Sequence, residues 1–210
     1  MKRLASVIRL LFFALFVFLV IRGKPMLWLA LFGIGLLSTI LFGRYYCGYI
    51  CPMNTIMRPI DRLAKSLGTQ TDHTPRWLEG GKLSWIALVV SAALVIAMRR
   101  FAGVQFPFLI VWLVLAGLIT LRYRPAIFHN LICPFGAPLT LFGRLTRRSK
   151  LVDATECIGC SQCIKACPSQ AVTMEPTHRL AWIEPAICHQ CQDCTAACPV
   201  DAISYRSIGS

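Results

Sequence analysis

Eight of the eleven cysteines lie in two blocks of identical spacing near the carboxyl end of the chain. Each block reads C-x2-C-x2-C-x3-C-P, over residues 157–168 and 188–199. Three thiolates at this spacing on one curled loop can bind three corners of a cubane, while the fourth points away and reaches a second cubane. The pattern therefore predicts two [4Fe-4S] clusters that exchange their fourth ligands.

This exchange assigns four cysteines to each cluster. The first cluster is predicted to be bound by Cys157, Cys160, Cys163 and Cys198, and the second by Cys188, Cys191, Cys194 and Cys167. Zinc is the alternative, since C-x2-C pairs also bind zinc, but zinc sites usually divide their ligands into two separated pairs. Three evenly spaced cysteines and a fourth before proline, occurring twice, favour clusters over zinc or disulfides.

The cysteine blocks belong to a tail of about 60 residues, which is too short to bury a large core. The clusters must therefore also hold this region together, and it should not fold without iron. Residues 150–210 are predicted to form a small α+β domain of the two-cluster ferredoxin type. His189, inside the second block, is expected to be an exposed loop residue.

Four apolar segments precede the tail, at residues 4–21, 26–43, 83–98 and 101–121. Each approaches the roughly 20 residues that a helix needs to cross a bilayer. Residues 1–149 are therefore predicted to be a four-helix transmembrane domain in contact with lipid. The first segment is expected to be retained, because no small-residue cleavage site follows it. Residues 55–67 mix apolar and basic side chains and predict a surface-lying segment that Pro59 interrupts.

The net charge of +13 reflects bases that flank the apolar segments. Six bases lie between the second and third segments and six follow the fourth, whereas the two short connections hold four in total. This asymmetry places both termini and the cysteine-rich tail in the cytoplasm, with the chain in the inner membrane of a prokaryote. It also explains the basic charge without nucleic acid as a partner.

The transmembrane region contains an internal repeat. At an offset of 82 residues, YYCGYICPMN aligns with IFHNLICPFG, so each half is two spans followed by a C-P segment. Two pseudo-repeated hairpins would bring these segments together at one membrane face. A third iron–sulfur or metal centre could form there from Cys47, Cys51, Cys133 and His129. Thiol redox chemistry and simple packing are the alternatives for these residues.

The YCGYICPMN and LICPFGA segments and the two-cluster tail together resemble the NapH-type membrane ferredoxins, whose relatives include NosR, MauN and CcoG proteins. The resemblance implies four spans, two C-x3-C-P motifs facing the cytoplasm, and electron transfer between the quinol pool and a dedicated oxidoreductase. His129 departs from the family pattern, because it stands where cysteine is usual. That departure leaves the shared role of the paired motifs open here.

The resemblance suggests two functions. The chain could be the electron-transfer subunit of a quinol dehydrogenase, with Tyr45, Tyr46 and His129 near the interface where a quinone would react. It could instead be a maturation factor that reduces a cofactor, metal or thiol of another enzyme, as CcoG-type relatives suggest. A structural anchor for a soluble reductase is a third reading. The sequence contains no haem-attachment, dinucleotide-binding or P-loop motif, so a partner redox protein is expected.

Overall fold

The computed structural model describes residues 2–71, 74, 78, 80–103, 107–177 and 179–208. The chain divides into two compact units, one formed by Met1–Cys51 with Leu139–Ser210, and the other by Pro52–Pro138. Each unit is described by itself. The sequence predicts another division, at residue 150, between a membrane part and a soluble part. That division concerns the surroundings of the chain and not its compactness, and it stays a prediction.

Two apolar helices begin the first unit, α1 (Lys2–Ile21) and α2 (Pro25–Phe42). Pro25 suits the first turn of α2, where a missing amide hydrogen costs no helical bond. Gly43 ends α2 at φ +77°, a left-handed conformation that glycine adopts without a steric penalty. The helices pack through Phe16 and Trp28, whose rings meet edge to face at 5.2 Å between centroids.

The tail of the first unit contains two small antiparallel sheets. Strand β1 (Arg148–Val152) pairs with β4 (Ile203–Ser207), and β2 (Val172–Met174) pairs with β3 (Ala181–Ile183). A short helix, α8 (Gln162–Ala166), and a 3-10 turn, Thr195–Ala197, follow the two cysteine loops. The buried core of the tail comprises Ala171, Val172, Ala181, Ile183 and Ile203 together with Cys163, Cys188 and Cys194. This α+β fold confirms the ferredoxin-like prediction for the tail.

The first sheet of the tail caps the carboxyl end of α2. The Arg147 amide donates to the Ile40 carbonyl at 2.8 Å, and the Tyr205 hydroxyl donates to the Phe42 carbonyl at 3.1 Å. The last carbonyls of a helix have no partner within it and must find one elsewhere. The tail therefore supplies the partners that α2 itself lacks.

Arg44, directly after α2, makes a second attachment inside this unit. Its guanidinium is fully buried and donates to Thr140 Oγ1 at 3.0 Å and to the Ala186 carbonyl at 3.4 Å. Thr140 belongs to α7 (Gly136–Gly143), the helix in which the division between the units falls. Ala186 lies two residues before the second cysteine block, so one buried cation joins the end of α2 to that block.

The second unit contains α3 (Pro52–Ser66), α4 (Lys82–Ala97), α5 (Phe108–Arg122) and the single turn α6 (Pro125–Ile127). Helix α3 is amphipathic and runs through Pro59, so the predicted interruption is wrong. Pro59 lies on the exposed face, where the carbonyl that loses its helical partner can be solvated. Beyond α3, Thr69 and Gln70 bond to the carbonyls of Leu121 and Thr120.

Among the described residues, three helices are long and apolar enough to cross a membrane: Leu4–Ile21, Pro25–Phe42 and Lys82–Phe101. The number rises to four if the bent pair Pro125–Ile132 and Gly136–Gly143 counts as one span. The predicted fourth span differs, because α5 begins at Phe108 and has 15 residues, and residues 104–106 lie outside those described. Apolar membrane helices are thus confirmed, while the arrangement of four spans stays a prediction.

Replacing Arg44 by methionine should weaken the attachment of the tail, because Thr140 and the Ala186 carbonyl lose a buried donor. Each buried polar group left unpaired costs about 1–3 kcal/mol. We expect the iron–sulfur absorbance of the detergent-solubilised variant to disappear at a clearly lower temperature than in the parent protein. The matched control is Arg62→Met at an exposed position, and an equal shift in both variants would contradict this role of Arg44.

Candidate iron–sulfur and electron-transfer site

The four cysteines predicted to bind the first cluster line one cavity. Cys157 and Cys160 come from the loop after β1, Cys163 lies in α8, and Cys198 follows the 3-10 turn. Gly159 lets this loop curl at φ +70°, and a Cβ there would approach the Arg179 carbonyl oxygen to 2.7 Å. The fold thus brings together four soft thiol donors in an apolar cage, which is the chemistry that iron–sulfur clusters require.

The cysteines predicted to bind the second cluster lie deeper in the protein. Cys188, Cys191 and Cys194 are buried, and ionised Cys167 or Cys194 would act electrostatically on Cys188. Burial raises the pKa of the Cys188 thiol to about 12, and desolvation also raises the pKa values of Cys194 and Cys163. Thiolates in such a place need a nearby positive charge, which the irons of a cluster supply on binding.

Amide groups are directed at the sulfur atoms. The Ala171 amide donates to Cys167 Sγ at 3.3 Å. The Gln190 amide bonds to the Cys188 sulfur and the Ile164 amide to the Cys163 sulfur, and each lowers the pKa of its thiol against the effect of burial. Amide hydrogen bonds to ligand sulfurs favour the reduced, more negative state of a cluster and so influence its reduction potential.

In the sequence, Lys150 is marked only as one of the six bases that follow the fourth apolar segment. Its side chain is buried, and its Nζ donates to Thr195 Oγ1 at 2.9 Å. Burial raises the pKa values of Cys188 and Cys194, both of the second ligand set, and the positive charge of Lys150 partly opposes this rise. No local pattern marks this role, because β1 brings Lys150 to cysteines about 40 residues away in sequence.

The first C-P segment forms a π-helical turn, Tyr46–Ile50, which ends at Cys51 in extended conformation. The Cys51 amide donates to the Tyr46 carbonyl at 2.9 Å. Cys47 and Cys51 are both buried, and Arg44 donates to Cys47 Sγ at 3.6 Å. The two thiols therefore lie within one short turn, and the Cys47 thiol contacts a buried cation.

The second C-P segment, in the other unit, has the same local conformation. A π-helical turn, Phe128–Ile132, ends at Cys133 in extended conformation, and the Cys133 amide donates to the Phe128 carbonyl at 2.7 Å. His129 and Cys133 are both buried. Because Cys47 and Cys51 belong to one unit and His129 and Cys133 to the other, a centre that combines all four stays a prediction.

The second cysteine loop lies directly against the first π turn, within one unit. A Cβ on Gly48 would overlap the His189 carbonyl oxygen and would lie 3.7 Å from the Cys191 Cα. The Tyr49 hydroxyl donates to the Gln190 carbonyl at 3.1 Å. His189 is therefore buried, and the prediction of an exposed histidine is wrong, because the turn that covers it is distant in sequence.

Comparison with protein families supports the same assignment. The family described as "4Fe-4S binding domain" matches the chain twice, at residues 24–70 and 104–151. The family described as "4Fe-4S dicluster domain" matches residues 156–203. The first two matches contain the two π turns, and the third contains both cysteine blocks.

Two curated relatives extend this result. An uncharacterised protein of Methanocaldococcus jannaschii is 27% identical over 71% of this chain and 61% of its own length. The ferredoxin-type protein NapH of Haemophilus influenzae is 28% identical over 68% of this chain and 54% of its own length. These matches support a NapH-like 4Fe-4S membrane ferredoxin. The chain thus spans between about half and three fifths of these relatives, and no solved structure matches it significantly.

The two cysteine blocks of this NapH-like protein have different surroundings. The second block is covered by the π turn after α2, whereas the loop of the first block is open to solvent. Cys160 is exposed, and the neighbouring Ile158 side chain is 64% exposed. Trp182, in β3 of the same tail, is 58% exposed. The first block is therefore more exposed than the second.

Replacing Gly48 by alanine should destabilise the contact between the π turn and the second cysteine loop. The new methyl group would meet backbone, which cannot rotate away, and overpacking of this kind costs about 1–3 kcal/mol. The variant should lose its iron–sulfur absorbance at a lower temperature. Gly33→Ala is the matched control, because a Cβ at Gly33 in α2 meets nothing within 4 Å. Equal stability of the two variants would refute the close contact.

Replacing Lys150 by methionine should lower the reduction potential of the second cluster. Removing a buried positive charge disfavours the added electron, and we expect a shift on the order of tens of millivolts. An EPR-monitored redox titration measures the shift, and Lys165→Met on α8 serves as the control. If both variants titrate like the parent protein, Lys150 does not tune this cluster.

Proposed function

We propose that this NapH-like protein transfers electrons between the quinol pool and a partner oxidoreductase through two [4Fe-4S] clusters. Its ligand sets would be those predicted from the spacing: Cys157, Cys160, Cys163 and Cys198 for the first cluster, and Cys188, Cys191, Cys194 and Cys167 for the second. The observation that carries the proposal is the contact of Gly48 and Tyr49 with the second cysteine loop. This contact joins a redox loop to the end of an apolar helix.

The surroundings of the two blocks suggest the order of transfer. When bound, each cluster supplies a one-electron redox couple. The second block lies against the π turn after α2, so it would exchange electrons at the membrane. The first block exposes Cys160 and Ile158, so it would meet the soluble partner. Lys150 would favour the electron on the second cluster by its charge.

The proposal includes a topology of four spans in two pseudo-repeated hairpins, in the inner membrane, with the clusters on the cytoplasmic side. The distribution of bases supports this orientation. The two π turns that end on Cys51 and Cys133, and the two matches of one family, support the repeat. In this arrangement the chain would be the electron-transfer subunit of a quinol dehydrogenase, with its catalytic partner a separate chain.

A third centre at the C-P segments is a separate proposal with its own measurement. Two cubanes account for about eight iron atoms per chain, with as many acid-labile sulfides. A centre formed by Cys47, Cys51, Cys133 and His129 would add to this iron, and Cys51→Ala would remove the excess. An iron content of about eight that Cys51→Ala leaves unchanged would rule out the third centre.

The quinol function predicts electron exchange in purified protein. We expect menadiol to reduce the clusters anaerobically, or decyl-ubiquinone to reoxidise dithionite-reduced clusters, as seen by EPR. Cys160→Ser alters the exposed first cluster and should leave exchange at the second intact, whereas Cys191→Ser should abolish exchange with both reagents. If dithionite reduces the parent protein but neither quinone reagent exchanges electrons with it, the quinol function is wrong.

A further inference from the structure

We propose that a quinone binds in a cavity between α1 and the first π turn, a site that rests on the proposed quinol function. The cavity has a volume of about 510 Å³, which is within the usual range for small-molecule sites. It lies wholly within the first unit. Its lining comprises one face of α1 and the π turn with its flank, together with one residue of the second cysteine block: Leu4, Ala5, Ile8, Phe12, Tyr45, Tyr49, Ile50 and Gln192.

The lining suits a molecule with a flat polar head and an apolar tail. The face of α1 is apolar, and the rings of Phe12, Tyr45 and Tyr49 offer surfaces on which a quinone ring can stack. Polar groups are confined to the side formed by the two tyrosines and Gln192. An isoprenoid tail would lie along α1 while the head group meets these polar side chains.

The Gln192 side chain can form hydrogen bonds with both oxidation states of a quinone. A glutamine amide can donate to a quinone carbonyl and can accept from a quinol hydroxyl. The Tyr49 hydroxyl donates to the Gln190 carbonyl, which holds the Tyr49 side chain at the polar edge of the cavity. Tyr45 shares a 2.6 Å hydrogen bond with Ser38, which fixes its ring at the edge of the cavity.

The charges at the cavity favour a quinone over a phospholipid. Among the described residues that line it, none carries a positive charge that could pair with a phosphate. The neighbouring Arg9 donates to the Gly48 carbonyl at 2.7 Å, and its guanidinium lies over the Tyr49 ring. This cation is therefore used in positioning the π turn. A neutral head group matches the lining better than an anionic one.

The position of Gln192 connects the cavity with the redox centre. Gln192 lies between Cys191 and Cys194, two predicted ligands of the second cluster. A head group that touches Gln192 is therefore next to that cluster. Oxidation of one quinol would release two electrons and two protons. The clusters that the two cysteine sets would hold could accept one electron each, and the protons would pass to water; reduction of a quinone would reverse this balance.

The main test fills the cavity at a distance from the cysteines. Ile8→Trp places a bulky ring on the α1 wall, while Leu10→Trp makes the same change at a position that is 61% exposed and does not line the cavity. We expect Ile8→Trp to slow electron exchange with decyl-ubiquinone or menadiol roughly tenfold or more, since overpacking costs binding free energy. Leu10→Trp should stay within about twofold of the parent rate, the small effect usual for a surface change. Iron content and reduction by dithionite should be unchanged in both.

A second variant tests the polar edge. Gln192→Leu should raise the quinone concentration for half-maximal exchange about five- to tenfold, the loss expected for one hydrogen bond. The maximal rate and the EPR signal of the second cluster should be retained. A change in the EPR signal with no change in half-saturating concentration would assign Gln192 to the cluster alone and would count against the site.

The outcomes separate this site from the proposed function. If the parent protein exchanges electrons but Ile8→Trp does so equally well, the quinol function stands and the site is wrong. If the parent exchanges electrons with no quinone reagent in either direction, both proposals fail. A photoreactive azido-quinone should label residues 4–12, and decyl-ubiquinone should displace it. Equal displacement by phosphatidylglycerol would identify a lipid groove instead.

Discussion

Backbone meets backbone where Gly48 of the first π turn faces the carbonyl of His189, and the arrangement of the first unit depends on this contact. A side chain at this position would push the two segments apart, so glycine is favoured there. On one side Arg9 holds the Gly48 carbonyl, and on the other the Tyr49 hydroxyl holds the Gln190 carbonyl. These bonds place α1, the π turn and the second cysteine block in continuous contact, without a flexible linker between membrane helix and redox loop.

The sequence predicts those features that depend on residues close together along the chain. The cysteine blocks and apolar helices are patterns within about 20 residues, and the fold groups the first four predicted ligands around one cavity. The burial of His189, the position of Lys150 and the role of Gln192 arise from contacts between segments far apart in sequence. Tyr49 and Gln190, for example, are 141 residues apart, and no periodicity reports such a contact. The helix through Pro59 shows the same limit, because its tolerance depends on which face the tertiary packing leaves exposed.

The core of the tail explains why its stability and its redox chemistry are connected. Three of its buried members are the predicted ligands Cys163, Cys188 and Cys194, and most of the others are small aliphatic residues. Burial disfavours ionisation of these thiols, whereas cluster formation requires thiolates, so the iron must offset a cost that the fold itself creates. A site of this kind binds its cofactor as part of folding. Burial of apolar side chains in the two short sheets contributes the rest of the stability of the tail.

The cap on α2 has a consequence for biogenesis. The Tyr205 hydroxyl that bonds to the Phe42 carbonyl is 163 residues further along the chain. At about 5–20 residues per second, synthesis of that interval takes roughly 10 to 30 s. During this time the apolar helices insert, while the end of α2 and Gly48 still lack their contacts with the tail. Insertion must therefore come before docking, and the last strand of the tail completes the attachment only after both cysteine blocks have emerged.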